Sequence, residues 1–256
     1  MRLGFSETQA PYDSGTQKAR VLTEAWVNEC MFCPNCGNPR LRQFEANRPL
    51  ADFVCDQCGN QFELKSQKRA FGSKLANGAY ETKLARLRAD DAPNLMLMQY
   101  DAERNEVINF TAVPKRFFIA SLVEKRKPLS PNARRAGWVG SNILLSRIPE
   151  AGRVSIVSDG ATTPTDIVLQ NWRKTALLEN QTVSARGWLI EVMTLVDRLG
   201  HDDFTLQDIY RSEEFLQELY PSNNNVRPKI RQQLQVLRNN GYLEFLGSGR
   251  YRKTLR

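Results

Sequence analysis

Histidine is almost missing from this chain: 256 residues contain one, His201. A site built on paired histidines is therefore excluded, and His201, just past a helix end, reads as a capping or surface residue. Cysteine is nearly confined as well. Cys30, Cys33, Cys36, Cys55 and Cys58 fall within 29 residues, and none occurs elsewhere. A secreted disulfide framework would spread its bridges and use an even number. No apolar run approaches the roughly 20 residues a membrane span needs. The opening MRLGFSETQAPYDSG has no apolar core of a secretory signal, so a cytoplasmic location is expected. Internal repeats and low-complexity tracts are also missing. What remains is 41% hydrophobic and 25% charged, ordinary for a soluble globular protein with one large or two average domains.

The charge balance is less ordinary. A formal net charge of +8 and a pI near 9.4 point to a polyanionic partner. The basic residues cluster. Residues 115 to 135 carry seven against Glu124, and residues 223 to 256 carry eight against Glu244. Two separate patches suit a protein that holds nucleic acid with two surfaces; solvated faces are the plainer alternative.

Hydrophobic periodicity divides the chain. The segment SGTQKARVLTEAWVNE predicts a helix with Ala19, Leu22, Trp26 and Val27 on one face. Residues 49–66 read as two strands joined by a turn, and GAYETKLARLRA as a second helix with Tyr80, Leu84 and Leu87 aligned. NLMLMQY, EVINFTAVP and GRVSIVSDG read as strands, and EKRKPLSPNARRAGWVGSN as a loop. This mixture is an α/β (α+β) pattern. Near residue 180 the style changes. SARGWLIEVMTLVDRLG predicts an amphipathic helix with Trp188, Val192, Leu195 and Leu199 aligned. FTLQDIYRSEEFLQELY predicts a second, opened by a capping-box pair, Thr205 and Asp208. RPKIRQQLQVLRNNG predicts a third, with Pro228 in its first turn, and YLEFLGSGRYRK a hairpin around Gly247-Ser248-Gly249. Three helices and a β-wing make a winged helix, whose third helix enters the major groove. The expected division is residues 1–182 and 183–256.

Cys33-Pro-Asn-Cys36-Gly37 and Cys55-Asp-Gln-Cys58-Gly59 share one form, two thiols on a tight turn closed by glycine. Two such turns supply the tetrahedral four-sulfur set of a structural Zn²⁺ site, closed to water and so without chemistry of its own. The eighteen residues between them match the usual knuckle separation. Cys30 lacks the glycine-bearing turn and reads as a packed thiol.

The zinc pair at 55–58 lies between Asp52 and Glu63. Alternation along a strand puts Glu63 and Lys65 on one face, and folding the hairpin about the knuckle brings Asp52 beside Glu63. Two adjacent carboxylates suit a hard cation such as Mg²⁺, and a lysine beside it can orient or deprotonate a water. An amphipathic hairpin with solvated charges has the same spacing.

At these residues the chain resembles the PD-(D/E)XK nuclease superfamily, and over nearly its full length the methyl-directed type II restriction endonucleases. QKARVLTEAW, CPNCGN, NRPLADFVCDQCGNQFELKS, KPLSPNARRAGWVGSNI, SARGW and IRQQLQVLR carry the resemblance in order. Ala51 departs from it, standing where many members have proline. The resemblance implies Mg²⁺ on Asp52, Glu63 and the Leu64 carbonyl, Lys65 handling the water, and a four-cysteine zinc site inserted at 33–58. It implies double-stranded DNA carrying N6-methyladenine, as Gm6ATC, cut on both strands, with the winged helix a second reader. Glu24 is a possible further acid at the metal or a surface carboxylate.

An N6-methyl group in the major groove is sensed by apolar contact. Arg134, Arg135 and Trp138 are candidates for that contact in the loop, with Trp138 as a core anchor the alternative. In the third winged-helix segment Lys229, Arg231, Gln232 and Gln235 lie off the apolar stripe, where arginine pairs with guanine and glutamine with adenine. Arg250, Arg252 and Lys253 are expected on phosphate. A monomer is expected without DNA. The competing reading is a non-catalytic zinc-containing winged-helix regulator.

Overall fold

A computed structural model describes residues 1–6, 14–45, 51–179 and 181–254. Parts of two stretches quoted above, at 7–13 and 46–50, lie outside these residues. Helix α1 (Gly15–Cys30) buries Thr23, Trp26 and Val27, with Ala19 and Leu22 half-buried beside them. The strands that follow are β1 (Arg42–Gln43), β2 (Phe53–Val54), β3 (Gln61–Gln67) and β4 (Leu75–Ala79). Helix α2 (Tyr80–Ala89) leads to β5 (Asn94–Asp101) and β6 (Glu106–Val113). After these come β7 (Val123–Lys125), β8 (Gly140–Ile143), β9 (Val154–Ser158), β10 (Ala161–Thr162) and α3 (Thr165–Lys174).

The main sheet has the order β1-β2-β3-β5-β6-β9-β10. Strands β3 and β5 run parallel, which requires a crossover, and the segment β4–α2 supplies it. Strand β5 serves two cores because its side chains alternate. Met96 and Met98 join Trp26, Phe53, Phe62 and Phe110 under α1 and α3. Leu95 and Leu97 join Phe117, Leu122 and Ile143 on the other face. A second, small sheet, β4-β8-β7, stands beside it.

The C-terminal part contains α4 (Val183–Arg198), β11 (Asp203–Thr205), α5 (Leu206–Tyr210) and α6 (Glu213–Leu219). It ends with α7 (Val226–Asn239), β12 (Leu243–Gly247) and β13 (Arg250–Lys253). The wing is β12 and β13, widened by β11 into a three-stranded sheet.

Four expectations need correction. The second winged-helix segment is two short helices, because the capping box at Thr205 and Asp208 starts one and the chain turns at Arg211 and Ser212 before the next. Residues 75–79, partly assigned to a helix, form β4, and α2 begins at Tyr80. Residues 140–142, read as loop, pair as β8 with both β4 and β7. Helix α4 is not a one-sided surface helix: every residue from Arg186 to Val196 is buried. A helix buried all round is packed on all sides. Here α7 and α5 lie against it from one part of the chain and residues 115–117 from the other.

The two parts meet through one continuous apolar cluster, running from Leu95 and Phe117 to Trp188, Ile230 and Leu243. Polar links cross the same junction. Arg147 Nη2 donates to both oxygens of Glu191 at 2.9 Å, and Ser121 Oγ donates to Glu191 at 2.5 Å. Asp90 accepts from Arg116 and, at 3.0 Å, from Arg186. Tyr242 Oη donates to the Lys174 carbonyl at 2.6 Å.

Candidate active site

The two cysteine turns are near copies of each other. Cys33 N–H donates to the Asn38 carbonyl at 2.8 Å, and Cys55 N–H to the Asn60 carbonyl at 2.9 Å. Gly37 and Gly59 N–H groups donate back to the Cys33 and Cys55 carbonyls at 2.9 and 2.8 Å. Both glycines have positive φ, 81° and 71°, a conformation a β-carbon would strain. The turns place all four sulfurs within 4.8 Å of one another, with Cys33–Cys58 at 3.6 Å and Cys36–Cys55 at 3.5 Å. Sulfurs about 2.3 Å from one tetrahedral zinc would lie roughly 3.8 Å apart. The donor set therefore fits zinc.

The surroundings prepare the thiolates. Asn38 Nδ2 donates to Cys55 Sγ at 3.6 Å and Asn60 Nδ2 to Cys58 Sγ at 3.4 Å. Burial raises Cys33 above the ordinary thiol range. Burial would raise Cys58 too, but donors from Asn35 and Asn60 outweigh it and bring Cys58 down to about 6. Cys30 stays outside this cluster and packs against the core, as a packed thiol should.

The knuckle sits at the bend between β2 and β3, and the register below it is fixed. Phe53 pairs with Phe62 and Val54 with Gln61. Continuing that ladder by one residue sets Asp52 opposite Glu63, and Asp52 N–H donates to the Phe62 carbonyl at 2.9 Å. Phe53 and Phe62 are fully buried, which leaves Asp52 and Glu63 to the other face. Asp52 Oδ2 accepts the Leu64 N–H at 2.7 Å, leaving Oδ1 for a cation. Lys65 Nζ lies 2.6 Å from Glu63 Oε1. Burial raises the Asp52 pKa above the ordinary carboxylate value; the Leu64 N–H opposes this, Glu63 adds to it, and Lys65 and Arg20 oppose it. Two acids this close, one of them reluctant to ionise alone, form a place where positive charge is wanted.

Asp52, Glu63, Leu64 and Lys65 line one cleft of about 590 Å³. Glu24 lines it too, but its carboxylate is held by Arg20 at 2.6 Å and Gln43 at 2.8 Å. Among the described residues only the four cysteines gather three or more metal-binding side chains tightly. The sequence reading passes over the other wall of this cleft, where β4 and α2 contribute Asn77 and Lys83.

Two family models match the chain: the Dam-replacing family (DpnI) over residues 1–181 and the Dam-replacing HTH domain over residues 184–253. The chain belongs to the Dam-replacing family. The family implies a restriction nuclease that carries a helix-turn-helix domain, with double-stranded DNA as its partner. Among the described residues no helix is long and apolar enough to cross a membrane.

In this member of the Dam-replacing family the loop between β7 and β8 is closed by its own backbone bonds, Leu129 N–H to Trp138 O at 2.9 Å and Gly137 N–H to Leu129 O at 3.1 Å. Arg134 and Arg135 are exposed and Trp138 is half-buried. The indole lies so close over Gly140 that a β-carbon there would meet it at 2.8 Å. The Arg135 guanidinium stands 4.7 Å from the same ring. Trp138 is thus anchored against Gly140, covered in part by Arg135, and still half-exposed. On α7, Ile230, Leu234 and Leu237 are buried, while Arg231, Gln232 and Gln235 are exposed and Lys229 is partly so. Lys229 Nζ donates to Gln232 at 2.8 Å, and Arg231 to Tyr210 Oη at 3.1 Å. The wing residues are less alike than their sequence suggests. Arg252 is held by both oxygens of Asp203, at 2.6 and 2.8 Å, and Lys253 Nζ donates to the Leu199 carbonyl at 2.7 Å. Arg250 is exposed at the tip. Trp188 is buried and stacked on Tyr220, a core residue.

Proposed function

We propose that residues 1–182 form a PD-(D/E)XK catalytic unit and residues 183–256 a second DNA-binding unit. Together they hydrolyse double-stranded DNA at N6-methylated adenines, in the sequence Gm6ATC. The observation that carries the reading is the meeting of Asp52, Glu63 and Lys65 in one cleft, on a hairpin whose bend is the four-cysteine knuckle.

Two neighbouring carboxylates and the Leu64 carbonyl match the oxygen preference of Mg²⁺, which binds one or two carboxylates and keeps waters and phosphate oxygens. Bound there, the ion would supply polarisation of the phosphoryl group and stabilisation of the leaving oxygen. The chain's own residues do the rest. Asp52 and Glu63 hold the charge in place on rigid strands. Lys65, already beside Glu63, orients a water or takes its proton at Nζ. The four cysteines hold zinc and fix the hairpin register.

Recognition is assigned to two surfaces. In the first, Trp138 offers an apolar wall to the methyl group, with Arg134 and Arg135 beside it for guanine or phosphate. In the second, Arg231, Gln232 and Gln235 of α7 meet base edges, and Lys229 and Arg250 meet phosphate. Arg252 serves the wing itself through Asp203. One methyl contact discriminates by only about 1–3 kcal/mol, so strict dependence on methylation needs both surfaces or both methyls of a palindrome.

The test is digestion. Plasmid carrying methylated GATC should be fragmented in Mg²⁺ and unmethylated plasmid spared, and Lys65→Ala should abolish cutting. Cutting by Lys65→Ala at the parent rate would remove the catalytic assignment. A gel shift without nicking in Mg²⁺ or Mn²⁺ would establish the non-catalytic regulator instead.

A further inference from the structure

Lys83 is a lysine in an unusual place. It lies on α2, is 8% exposed, and lines the same cleft as Asp52, Glu63 and Lys65. Lysines are seldom buried without a partner, because an unpaired ammonium loses its hydration. Among the described residues no carboxylate comes within ion-pair distance of it. Its ammonium instead stands 5.2 Å from the centre of the Phe118 ring, a cation–π contact that offsets only part of the lost hydration. The charged groups acting on it are Glu63, Arg86 and Lys65, and two of the three are cations. Burial accordingly lowers its pKa. This position wants an anion that the protein does not supply.

Asn77, on β4 just before α2, repeats the pattern with a neutral group. Its Oδ1 accepts the Gly78 N–H at 2.7 Å, which fixes the amide. Its Nδ2 is buried and has no acceptor. It lines the same cleft. Most buried side-chain donors find a partner within the protein or in ordered water. Here a buried donor without an acceptor and an ammonium without a carboxylate partner share a wall that leads to two carboxylates and a lysine.

We infer that Lys83 and Asn77 hold the phosphodiester against the Asp52–Glu63 pair, each donating to a non-bridging phosphate oxygen. The inference rests on the nuclease reading above. It gives the cleft two walls with separate tasks. The β2–β3 hairpin presents metal-binding oxygens and Lys65, and the β4–α2 segment presents donors to the phosphate that comes between. Fixed donors in a partly desolvated site stabilise charge that grows during reaction, so their loss falls on the rate more than on affinity.

The experiment compares Lys83→Met, Asn77→Asp and Lys65→Ala with the parent protein. Single-turnover cleavage of a methylated GATC duplex is followed in Mg²⁺, binding of the same duplex in Ca²⁺, and the thermal midpoint without DNA. Methionine keeps the length of lysine and removes the unpaired charge. Aspartate keeps the oxygen that accepts from Gly78 and removes the donors. Lys83→Met should cut about 10- to 100-fold more slowly, bind within about threefold of the parent, and melt at the same or a higher temperature. Asn77→Asp should slow cutting at least as much, since it sets a negative charge against phosphate. Cutting by Lys83→Met within twofold of the parent overturns the inference. A rate loss matched by a lower melting point overturns it too, since that marks a structural role. If Lys83→Met does not fold, Asn77→Asp decides, and a rate within twofold of the parent overturns the inference. Lys65→Ala separates the two claims. If it cuts as the parent does, the nuclease assignment and this inference fail together. If it is inactive while Lys83→Met cuts normally, only the present inference fails.

Discussion

Removing the Glu191 carboxylate should loosen the whole molecule. Glu191 lies in the middle of α4, and its side chain is 2% exposed, against 17% for its partner Arg147. The guanidinium gives two 2.9 Å bonds to the carboxylate and one of 3.1 Å to the Ser121 carbonyl, and it stands 5.3 Å from the Phe215 ring. Its Nε is buried without a partner even in the intact protein. Glu191→Ala therefore leaves a nearly buried positive charge with one carbonyl and an aromatic face. Breaking a buried pair from one side costs about 3–5 kcal/mol. At about 2–4 °C per kcal/mol for a domain of 150–250 residues, the melting point should fall by roughly 6–20 °C. Calorimetry reads this directly, and it also shows whether one transition becomes two, because the pair joins residues 1–181 to 184–253. Glu191→Gln keeps an acceptor for the Ser121 hydroxyl and should fall between parent and alanine. Replacing both partners, Arg147→Met with Glu191→Leu, removes the orphaned charge and should recover most of the loss. A drop under about 1 kcal/mol for Glu191→Ala would refute the reasoning, since it would mean that water reaches the guanidinium freely.

The remaining predictions concern zinc and pH. The purified protein should carry a single equivalent of zinc by elemental analysis, and a strong chelator or Cys55→Ser should abolish DNA cutting in a way that added Mg²⁺ does not restore and added Zn²⁺ does for the chelated protein; cutting unchanged after complete zinc removal would show that the knuckle does not set the hairpin. At the junction, partial burial pushes the Asp90 carboxyl up, but the Arg186 hydrogen bond and the charges of Arg186, Arg116 and Lys115 outweigh it and hold its pKa below the usual 3.8. A depressed carboxylate adds stability that is full above its unfolded pKa and disappears as pH falls through the folded one. Asp90→Asn should therefore lower the melting point at neutral pH, by a gap that narrows as pH drops below about 4; a gap independent of pH would point to packing instead.

Local signals in the chain were legible and distant pairings were not. The cysteine turns could be read because two thiols and a glycine at fixed spacing describe their own geometry, and the structure brings all four sulfurs together. The Asp52–Glu63 juxtaposition followed from strand alternation once the knuckle was taken as the bend. The stripe Ile230, Leu234 and Leu237 on α7 is buried as its period requires. By contrast, Arg252 looks like any basic wing residue, and nothing nearby in sequence announces that Asp203, 49 residues away, holds it. Lys83 sits in a helix of arginines and glutamate, where a lysine reads as solvated; it is buried by neighbours distant in sequence, the Phe118 ring among them. Helix α4 read as one-sided because Arg186 and Glu191 interrupt its apolar residues, yet partners from the other part of the chain cover both. Helix α3 is short and buries only Val168 and Trp172, too few positions to establish a period.

In the proposed site the knuckle brings a chemical weakness that carboxylates lack. Cys36 and Cys58 are half-exposed, while Cys33 and Cys55 are buried, so oxidants meet the outer pair first. Turning either into a sulfenic acid or a disulfide removes a soft ligand and releases the bend on which the opposing strands depend. The acids would survive such damage intact and still lose their alignment. Under the proposed function, storage life and tolerance of peroxide should be properties of sulfur in this protein, and a reducing buffer should protect DNA cleavage by chemistry that takes place away from the bond being cut.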